Sequence, residues 1–216
     1  MEKSARSLLI LGTRTFAVEV SDLVSDIDSL KVSAFVENMD PKLCQQQLEG
    51  LPILWVDKLA ELADSHYAIC GLSTTFRSRF TEQAADFGIK FATVVHPSAQ
   101  ISSTSSAGEG SIISRGVIIA SHTRLGQHVI VNRGALIGHH TRVGDYVSIQ
   151  PGANIAGACD IGDASYIGMG AVVIDHVKVG SHSVIGAGTV VTKDVPENVL
   201  VVGVPAKVVK ENIPGK

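Results

Sequence analysis

Residues 131–149 read VNRGALIGHHTRVGDYVSI, and this stretch carries the periodicity that decides the fold. Its aliphatic residues Val131, Ile137, Val143 and Ile149 are spaced six apart. The step continues without a slip through Ile101, Ala107, Ile113, Ile119, Leu125, Val131, Ile137, Val143, Ile149, Ile155, Ile161, Ile167, Val173, Val179, Ile185 and Val191. A period of six is too short for a repeat built on helices, and β-branched anchors favour extended chain.

Small residues recur at fixed places around these aliphatic anchors. Glycine often stands one position after an anchor, as at Gly126, Gly138 and Gly144, and a small residue often stands four positions after it. Repeats of this form indicate a parallel β-helix, in which each unit is one short strand and a turn, and the stacked coils bury a common axis. We expect this domain to occupy residues 97–216.

The first 96 residues follow a different pattern, in which apolar strands alternate with amphipathic helices. Strands are predicted at 7–12, 31–37, 53–56, 67–72 and 91–95, and helices from 13 to about 25, at 57–63 and at 75–87. This alternation predicts a small parallel α/β domain, 1–96, with any ligand at the carboxyl ends of its strands. Only the first glycine of a GxGxxG fingerprint is present, at Gly12, which argues against a dinucleotide-dependent oxidoreductase.

Composition and charge exclude several classes of protein. The net charge of −3 comes with scattered Lys and Arg, so no basic face for nucleic acid is expected. No long apolar run or secretory leader is recognisable, which predicts a cytoplasmic protein without membrane insertion. The three cysteines, Cys44, Cys70 and Cys159, lack metal-ligand spacing, and no disulfide is expected.

The hexad run and the closing segment Val202-Gly203-Val204-Pro205-Ala206-Lys207 resemble the left-handed β-helix acyltransferases. With a small α/β domain in front, the chain more narrowly resembles sialic acid O-acetyltransferases and UDP-4-amino-sugar N-acetyltransferases. This resemblance implies a homotrimer with ligand sites at the subunit seams. It also implies acetyl-CoA as co-substrate, no metal, and acetyl transfer to an amine or hydroxyl of a nucleotide-linked sugar in surface glycan biosynthesis.

The resemblance also identifies candidate catalytic residues. Acetyl transfer requires a base for the attacking group and a donor for the developing oxyanion. Residues 132–141 match the family's active-site hexad, in which a histidine two places after the anchor, here His139, is the general base. The family usually has an acidic residue next, which orients the imidazole, whereas this chain has His140. Asp175 lies two coils away, too far for a direct hydrogen bond, so the chain needs another orienting partner or has a less strongly polarised base, and a group from the neighbouring subunit is the expected partner. Asn132 matches a residue that lines the pocket.

Further residues match the cofactor and substrate positions of these enzymes. The predicted CoA contacts are Ser148, Gly157, Met169, Ala187, Gly203, Pro205 and Lys207. The predicted substrate contacts in the α/β domain are Gly12, Thr13, Arg14, Glu37, Asn38 and Gly71. Thr15-Phe16 and Glu37-Asn38 stand where these enzymes usually carry Gly-His and a pair of acidic residues.

Two alternative functions remain open at this point. Zinc carbonic anhydrases share the β-helix and use three histidines at a subunit seam. His122 and His140 are 18 residues apart and therefore stacked, and we expect His128 to lie close by. The other alternative is a non-catalytic trimer that binds sugars, which fits the altered α/β motifs and His140.

Overall fold

A computed structural model describes residues 6–216 of the chain as two compact units. The first unit runs to Ser73 and resumes over Arg77–Pro97, and the second comprises Thr74–Phe76 and Ser98–Lys216. The short 3-10 helix Thr75–Arg77 is divided between them. The predicted fold class, a small α/β domain followed by a left-handed parallel β-helix, is confirmed.

The first unit is built on a twisted sheet with the strand order β3-β4-β2-β1-β5-β6. Its elements are β1 (Arg6–Leu11), α1 (Thr15–Ser25), β2 (Leu30–Glu37), β3 (Gln47–Leu48), β4 (Leu51–Trp55), α2 (Leu59–Leu62), β5 (Tyr67–Cys70), α3 (Ser78–Asp86), β6 (Lys90–Phe91) and β7 (Val94–Val95), with 3-10 helices at Pro41–Gln45 and Val56–Lys58. All neighbouring strands of the sheet are parallel except β3 and β4, which form a hairpin. The sheet therefore has one edge at which most carboxyl ends meet.

The central strand and the first helix supply buried residues to the core of this unit. Leu8–Leu11 of β1 are completely buried, as expected for a strand covered on both faces. The helix α1 buries Ala17, Val20, Leu23 and Val24, which follow helical spacing.

Within residues 6–216, no helix is long and apolar enough to cross a bilayer.

Several boundaries differ from the sequence prediction in the first unit, and two of them show why. The predicted strand at 91–95 is interrupted, because β6 ends at Phe91 and β7 begins at Val94. Val56 begins a 3-10 helix instead of ending a strand, although its side chain is buried as predicted for an apolar run. An apolar run indicates burial more reliably than it indicates the type of backbone.

The second unit is the β-helix, made of two-residue strands at six-residue intervals and a closing hairpin. They are β8 (Gln100–Ile101), β9 (Ser106–Ala107), β10 (Ile112–Ile113), β11 (Ile118–Ile119), β12 (Arg124–Leu125), β13 (Ile130–Val131), β14 (Leu136–Ile137), β15 (Arg142–Val143), β16 (Ser148–Ile149), β17 (Asn154–Ile155), β18 (Asp160–Ile161), β19 (Tyr166–Ile167), β20 (Val172–Val173), β21 (Lys178–Val179), β22 (Val184–Ile185), β23 (Val190–Val191), β24 (Leu200–Val202) and β25 (Lys207–Lys210). No excursion loop interrupts the run from β8 to β23.

Every third strand pairs in parallel, so each coil is 18 residues long and has three faces. The first face stacks β10, β13, β16, β19, β22 and β24, the second stacks β8, β11, β14, β17, β20 and β23, and the third stacks β9, β12, β15, β18 and β21. Within the second face, Ile119, Ile137 and Ile155 stand directly above one another. Their side chains point to the axis and join the buried core.

The three corners between faces use left-handed backbone in two different ways. The corner between the first and second faces has glycine in this conformation at Gly116, Gly134, Gly152, Gly170 and Gly188. At the other two corners the left-handed residues carry side chains except at Gly110, and they include His122, His140, Tyr146 and His182, at φ values of 57° to 58°. Left-handed residues therefore carry side chains mainly at two corners, whereas at the first corner the side chains, such as Met169, come from the residue before each glycine.

The chain closes the β-helix with the hairpin of β24 and β25. Between these strands, Gly203 has a φ of 101°, and its carbonyl oxygen accepts a hydrogen bond from the Val190 amide at 3.1 Å. The Ala206 amide donates to the Val190 carbonyl oxygen at 2.8 Å. The loop of residues 203–206 thereby lies against β23, at the last coil of the second face.

Candidate active site

His139 lies at the corner where the second face turns into the third. We call this corner the His139 corner, and its vertical column contains Ser121, His139, Gly157, Asp175 and Lys193. The His139 carbonyl oxygen accepts a 2.7 Å hydrogen bond from the Ala158 amide of the next coil. The imidazole is exposed to solvent, so it can reach a reacting group.

The ring of His139 rests on the backbone of Gly157, one coil further on. A Cβ atom at residue 157 would stand 2.6 Å from His139 Cε1. This separation is well inside van der Waals contact, so only glycine leaves room for the ring in this position. The Gly157 N–H makes no hydrogen bond within residues 6–216 and can donate to a ligand.

His140 contacts His139 through the ring nitrogens. The two Nδ1 atoms are 3.2 Å apart, and the rings meet edge to face with centroids separated by 5.3 Å. On its other side, the His140 ring packs against His122 at a centroid distance of 4.8 Å. Sequence reasoning anticipated the His122–His140 stack from their spacing but missed the contact with His139, because it depends on the left-handed backbone of His140 in the turn after β14.

Asn132 and two predicted CoA contacts lie across the second face from His139. The corner between the first and second faces, here called the Met169 corner, contains the column Arg133, Pro151, Met169 and Ala187. Asn132 directly precedes it, and its Oδ1 accepts a 2.8 Å hydrogen bond from the Arg133 amide. The two corners are thus the two edges of one face.

The remaining C-terminal candidates gather at the end of the β-helix. A cleft of about 260 Å³ is lined in part by Lys193, Pro205 and Lys207. It lies beside the loop 203–206, which contains Gly203. Two lysine side chains at one cleft can hold the phosphates of a ligand.

Ser148 is not part of either corner. It lies on β16 of the first face, and its side chain is completely buried. Burial separates this residue from the exposed His139, so the structure does not bring Ser148 together with the other candidates.

The expectation that His128 lies close to His122 and His140 is wrong. His128 belongs to the corner between the third and first faces, where its ring stacks on Tyr146 at 5.0 Å. The spacing of six residues between His122 and His128 moves the chain to the next corner instead of the next coil. Within residues 6–216, no three His, Cys, Asp or Glu side chains form a group that could hold a metal ion.

The predicted substrate residues converge at the carboxyl edge of the first unit's sheet. The Gly12 amide donates to the Val36 carbonyl oxygen, and the Gly71 amide donates to that of Leu11, both at 2.8 Å. Gly12 has a φ of 111°, a backbone conformation that residues with a side chain rarely adopt, so this turn favours glycine. Arg14 follows at the start of α1 and is exposed. This edge is where parallel α/β sheets bind ligands.

The Glu37 carboxylate at this edge accepts hydrogen bonds from the protein rather than facing a ligand. One carboxylate oxygen accepts a 2.5 Å hydrogen bond from Thr13 Oγ1, and the other accepts from the amides of Asn38, Met39 and Asp40. Burial alone would raise the pKa of this carboxyl, but the bonds from Thr13 and the backbone outweigh it and lower the pKa. Both oxygens are therefore occupied, while Asn38 Nδ2 donates to Gln83.

Comparison with known proteins gave a family and several structures. Residues 158–193 match the family model described as bacterial transferase hexapeptide (six repeats). A search of curated protein sequences found no match. The chain is similar to a variant of perosamine N-acetyltransferase from Caulobacter crescentus in complex with CoA and GDP-perosamine, with 29% identity, a TM-score of 0.88, and coverage of 95% of this chain and 97% of that chain.

Two further structures are similar over the same length. The acetyltransferase domain of PglB from Neisseria gonorrhoeae in complex with acetyl coenzyme A has 28% identity and a TM-score of 0.87, covering 95% of this chain and 100% of that chain. WeeI from Acinetobacter baumannii has 27% identity and a TM-score of 0.86, with the same coverage. Nearly the whole chain thus matches two structures that are described as acetyltransferases. The predictions that this chain is an acetyltransferase and that it resembles the hexapeptide-repeat sugar acyltransferases are therefore confirmed.

Proposed function

We propose that this protein transfers the acetyl group of acetyl-CoA to the amino group of a nucleotide-linked sugar, with His139 as the general base. A hydroxyl acceptor is the second form of the same reaction. The observation that supports the proposal best is the exposed His139 ring seated on Gly157, whose N–H is free to donate to a ligand. Similarity to an enzyme that binds CoA and GDP-perosamine supports an amino sugar as acceptor. We place the reaction in surface glycan biosynthesis in the cytoplasm.

The roles of the two residues follow from their atoms. His139 Nδ1 faces His140, so Nε2 is the nitrogen left to take a proton from the attacking amine. The Gly157 N–H, next to that ring, donates to the oxyanion that develops on the thioester carbonyl. Proton transfer of this kind contributes roughly 10²- to 10⁴-fold in rate, and one oxyanion donor contributes on the order of 10²- to 10³-fold.

The carboxyl edge of the α/β sheet holds the nucleotide part of the acceptor in this proposal. Arg14 supplies an exposed guanidinium there, which suits a diphosphate, while Gly12, Thr13 and Gly71 shape the turns beside it, since the amides of both glycines are bonded within the protein. Glu37 contributes by fixing the loop that follows β2, since both its oxygens already accept hydrogen bonds within the protein.

We also propose that the active form is a homotrimer. The second face presents apolar side chains outward, and Ile118, Leu136 and Val172 are 43%, 38% and 37% exposed. His139 and the Met169 corner lie on opposite edges of this face, separated by six residues of chain, or up to about 20 Å. A neighbouring copy that covers the face can bring its own Met169 corner to His139 of the first.

The test is acetyl transfer by the purified protein. Acetyl-CoA is incubated with GDP-perosamine or with a UDP-4-amino sugar, and both the released CoA thiol and the mass of the sugar are measured. We expect a product heavier by one acetyl group and a loss of about 10²-fold or more in kcat for His139→Ala.

The matched control is His182→Ala, which removes an exposed histidine from a different corner and should retain the wild-type rate. Full activity of His139→Ala would remove His139 from the mechanism. Absence of acetylation for every amino sugar and hydroxyl sugar tested would contradict the proposed function.

A further inference from the structure

The His139 ring contacts His140 of the same chain, and this contact can fix its orientation. His139 Nδ1 and His140 Nδ1 are 3.2 Å apart, a hydrogen-bond distance between two nitrogens of which one must donate and the other accept. The perpendicular arrangement of the rings, at 82°, places a lone pair of one ring opposite the edge of the other. The base thus has a neighbour that can select its tautomer.

His140 is itself held by groups other than His139. Its backbone is left-handed, with a φ of 57°, and its amide donates to the Ser121 carbonyl oxygen at 2.9 Å. Its ring packs on His122, whose amide is in turn bound by Thr104 Oγ1 at 3.0 Å. Because both backbone and ring are supported from the coil before it, His140 presents its Nδ1 in a defined direction.

Only one arrangement of the shared proton leaves a base on His139. If His139 Nδ1 donates to His140 Nδ1, His139 Nε2 carries a lone pair and can accept a proton. If His140 donates instead, His139 Nε2 carries the proton and cannot act as a base. His139 can therefore act as a base only if His140 is the acceptor of this hydrogen bond.

We infer that His140 is the positioning residue for His139, accepting a hydrogen bond from His139 Nδ1 and doing within one chain what an acidic neighbour does in the resembling enzymes. This inference rests on the proposed function and specifies how its base is oriented. No group from a neighbouring subunit is then needed to orient the ring, although the subunit can still supply ligand contacts. His122 supports His140 from the preceding coil.

The test compares two replacements of His140 that differ in one property. His140→Ala removes the acceptor and adds little backbone strain, because His140 already carries a side chain at a φ of 57° and Ala158 occupies the equivalent position one coil on with a φ of 55°. His140→Asn keeps an oxygen acceptor near the Cβ, and asparagine tolerates left-handed backbone. We expect kcat to fall about 10- to 100-fold in the Ala variant with KM for acetyl-CoA unchanged, and to recover at least tenfold in the Asn variant.

The control is His176→Ala, which removes a histidine from the same column and the same backbone conformation, two coils beyond His140. It should retain the wild-type kcat, and all variants should melt within a few degrees of the wild type. Wild-type kcat in His140→Ala, with His139→Ala inactive, would overturn the inference and leave the proposed function intact. An Asn variant as slow as the Ala variant would overturn the acceptor role. Full activity in His139→Ala would instead contradict the proposed function.

Discussion

His139 Nε2 lies 2.7 Å from the point at which a Cβ atom of residue 157 would stand, so the His139 ring is seated directly on Gly157. The two residues are 18 apart, one full coil, and the ring of one fills the space that the other leaves empty. Resemblance assigned Gly157 to the cofactor, whereas the structure adds a second reason for glycine at this position. A methyl group at residue 157 would displace the His139 ring, whether or not a ligand is bound.

Gly157→Ala should therefore lower activity without unfolding the protein. The Gly157 backbone is outside the left-handed region, so alanine is tolerated there, but its methyl group must displace the His139 ring. A shift of the base by about 1 Å can cost 10²-fold in rate. We expect a kcat loss of that order in the acetylation assay, with a melting temperature close to that of the wild type.

Gly116→Ala is the matched control, and it should lower the stability of the protein while leaving its activity unchanged. Its Cβ would enter open space, with the nearest atom at 3.9 Å, but its φ of 68° strains any residue with a side chain. We expect a loss of about 1 kcal/mol in unfolding free energy and an unchanged kcat. Equal kcat values for both variants would show that the His139 ring does not depend on Gly157.

Glu37→Gln should destabilise the α/β unit in a pH-dependent manner. Because folding lowers the pKa of this carboxyl below its ordinary value of 4.5, its contribution is full well above pH 4.5 and is lost as the pH falls through the lowered value. Glutamine cannot accept bonds on both of its terminal atoms, so we expect about 2 kcal/mol less stability at neutral pH. Thermal unfolding followed at pH 7 and pH 3.5 measures this difference, which should shrink at the lower pH.

The exposed Glu82 provides the comparison for that experiment. Glu82→Gln removes the same charge from the same unit and should change the melting temperature little at either pH. If Glu37→Gln behaved like Glu82→Gln, the hydrogen bonds to Glu37 would not contribute measurably to stability.

Leu136→Arg should separate the proposed trimer into inactive monomers. The substitution puts a charge in the middle of the apolar second face, which a neighbouring copy would have to bury. Light scattering after gel filtration gives the mass, and the acetylation assay gives the rate. Lys178→Glu on the third face should remain trimeric. A wild-type protein that runs as a monomer, or an active monomeric Leu136→Arg, would contradict the trimer proposal.

Thiol reactivity should be confined to Cys44 in the native protein. Burial raises the pKa of Cys70 to about 11, and it also raises the pKa of Cys159. Burial and the charges of Glu37 and Asp40 raise the pKa of Cys44 as well, but this residue is half-exposed. Mass spectrometry after iodoacetamide at pH 8 should find one modified cysteine in the folded chain and three in urea. Early modification of Cys70 or Cys159 would contradict the burial seen here.

The sequence predicted the β-helix well because each of its units is specified locally. Ile137 has the same surroundings as Ile119 and Ile155, so a period of six in the sequence becomes a column in space. The α/β unit was predicted in outline only, because Val56 and residues 91–95 are apolar in either backbone conformation. Burial of the side chain does not distinguish a strand from a short 3-10 helix there.

The candidate site was predictable as a set of residues but less so as an arrangement. Motif similarity identifies His139 and Gly157, and the spacing of 18 places them one above the other. It does not reveal that a ring fills the space over a glycine, or that two adjacent histidines turn toward each other. Such contacts depend on left-handed backbone at His140, a conformation that histidine adopts uncommonly and that no pattern of hydrophobicity signals.

Because the loop at residues 203–206 is hydrogen-bonded to Val190, the number of coils sets the distance between this loop and His139. From the level of His139, four successive steps along the second face lead to this loop, a rise of about 19 Å at ordinary strand spacing. With the ligand proposed above, whose reacting end meets His139 and whose phosphates rest at this loop, the number of repeats would set the length of ligand that fits. Adding or deleting 18 residues would preserve every packing rule of the β-helix and yet change that length by about 5 Å.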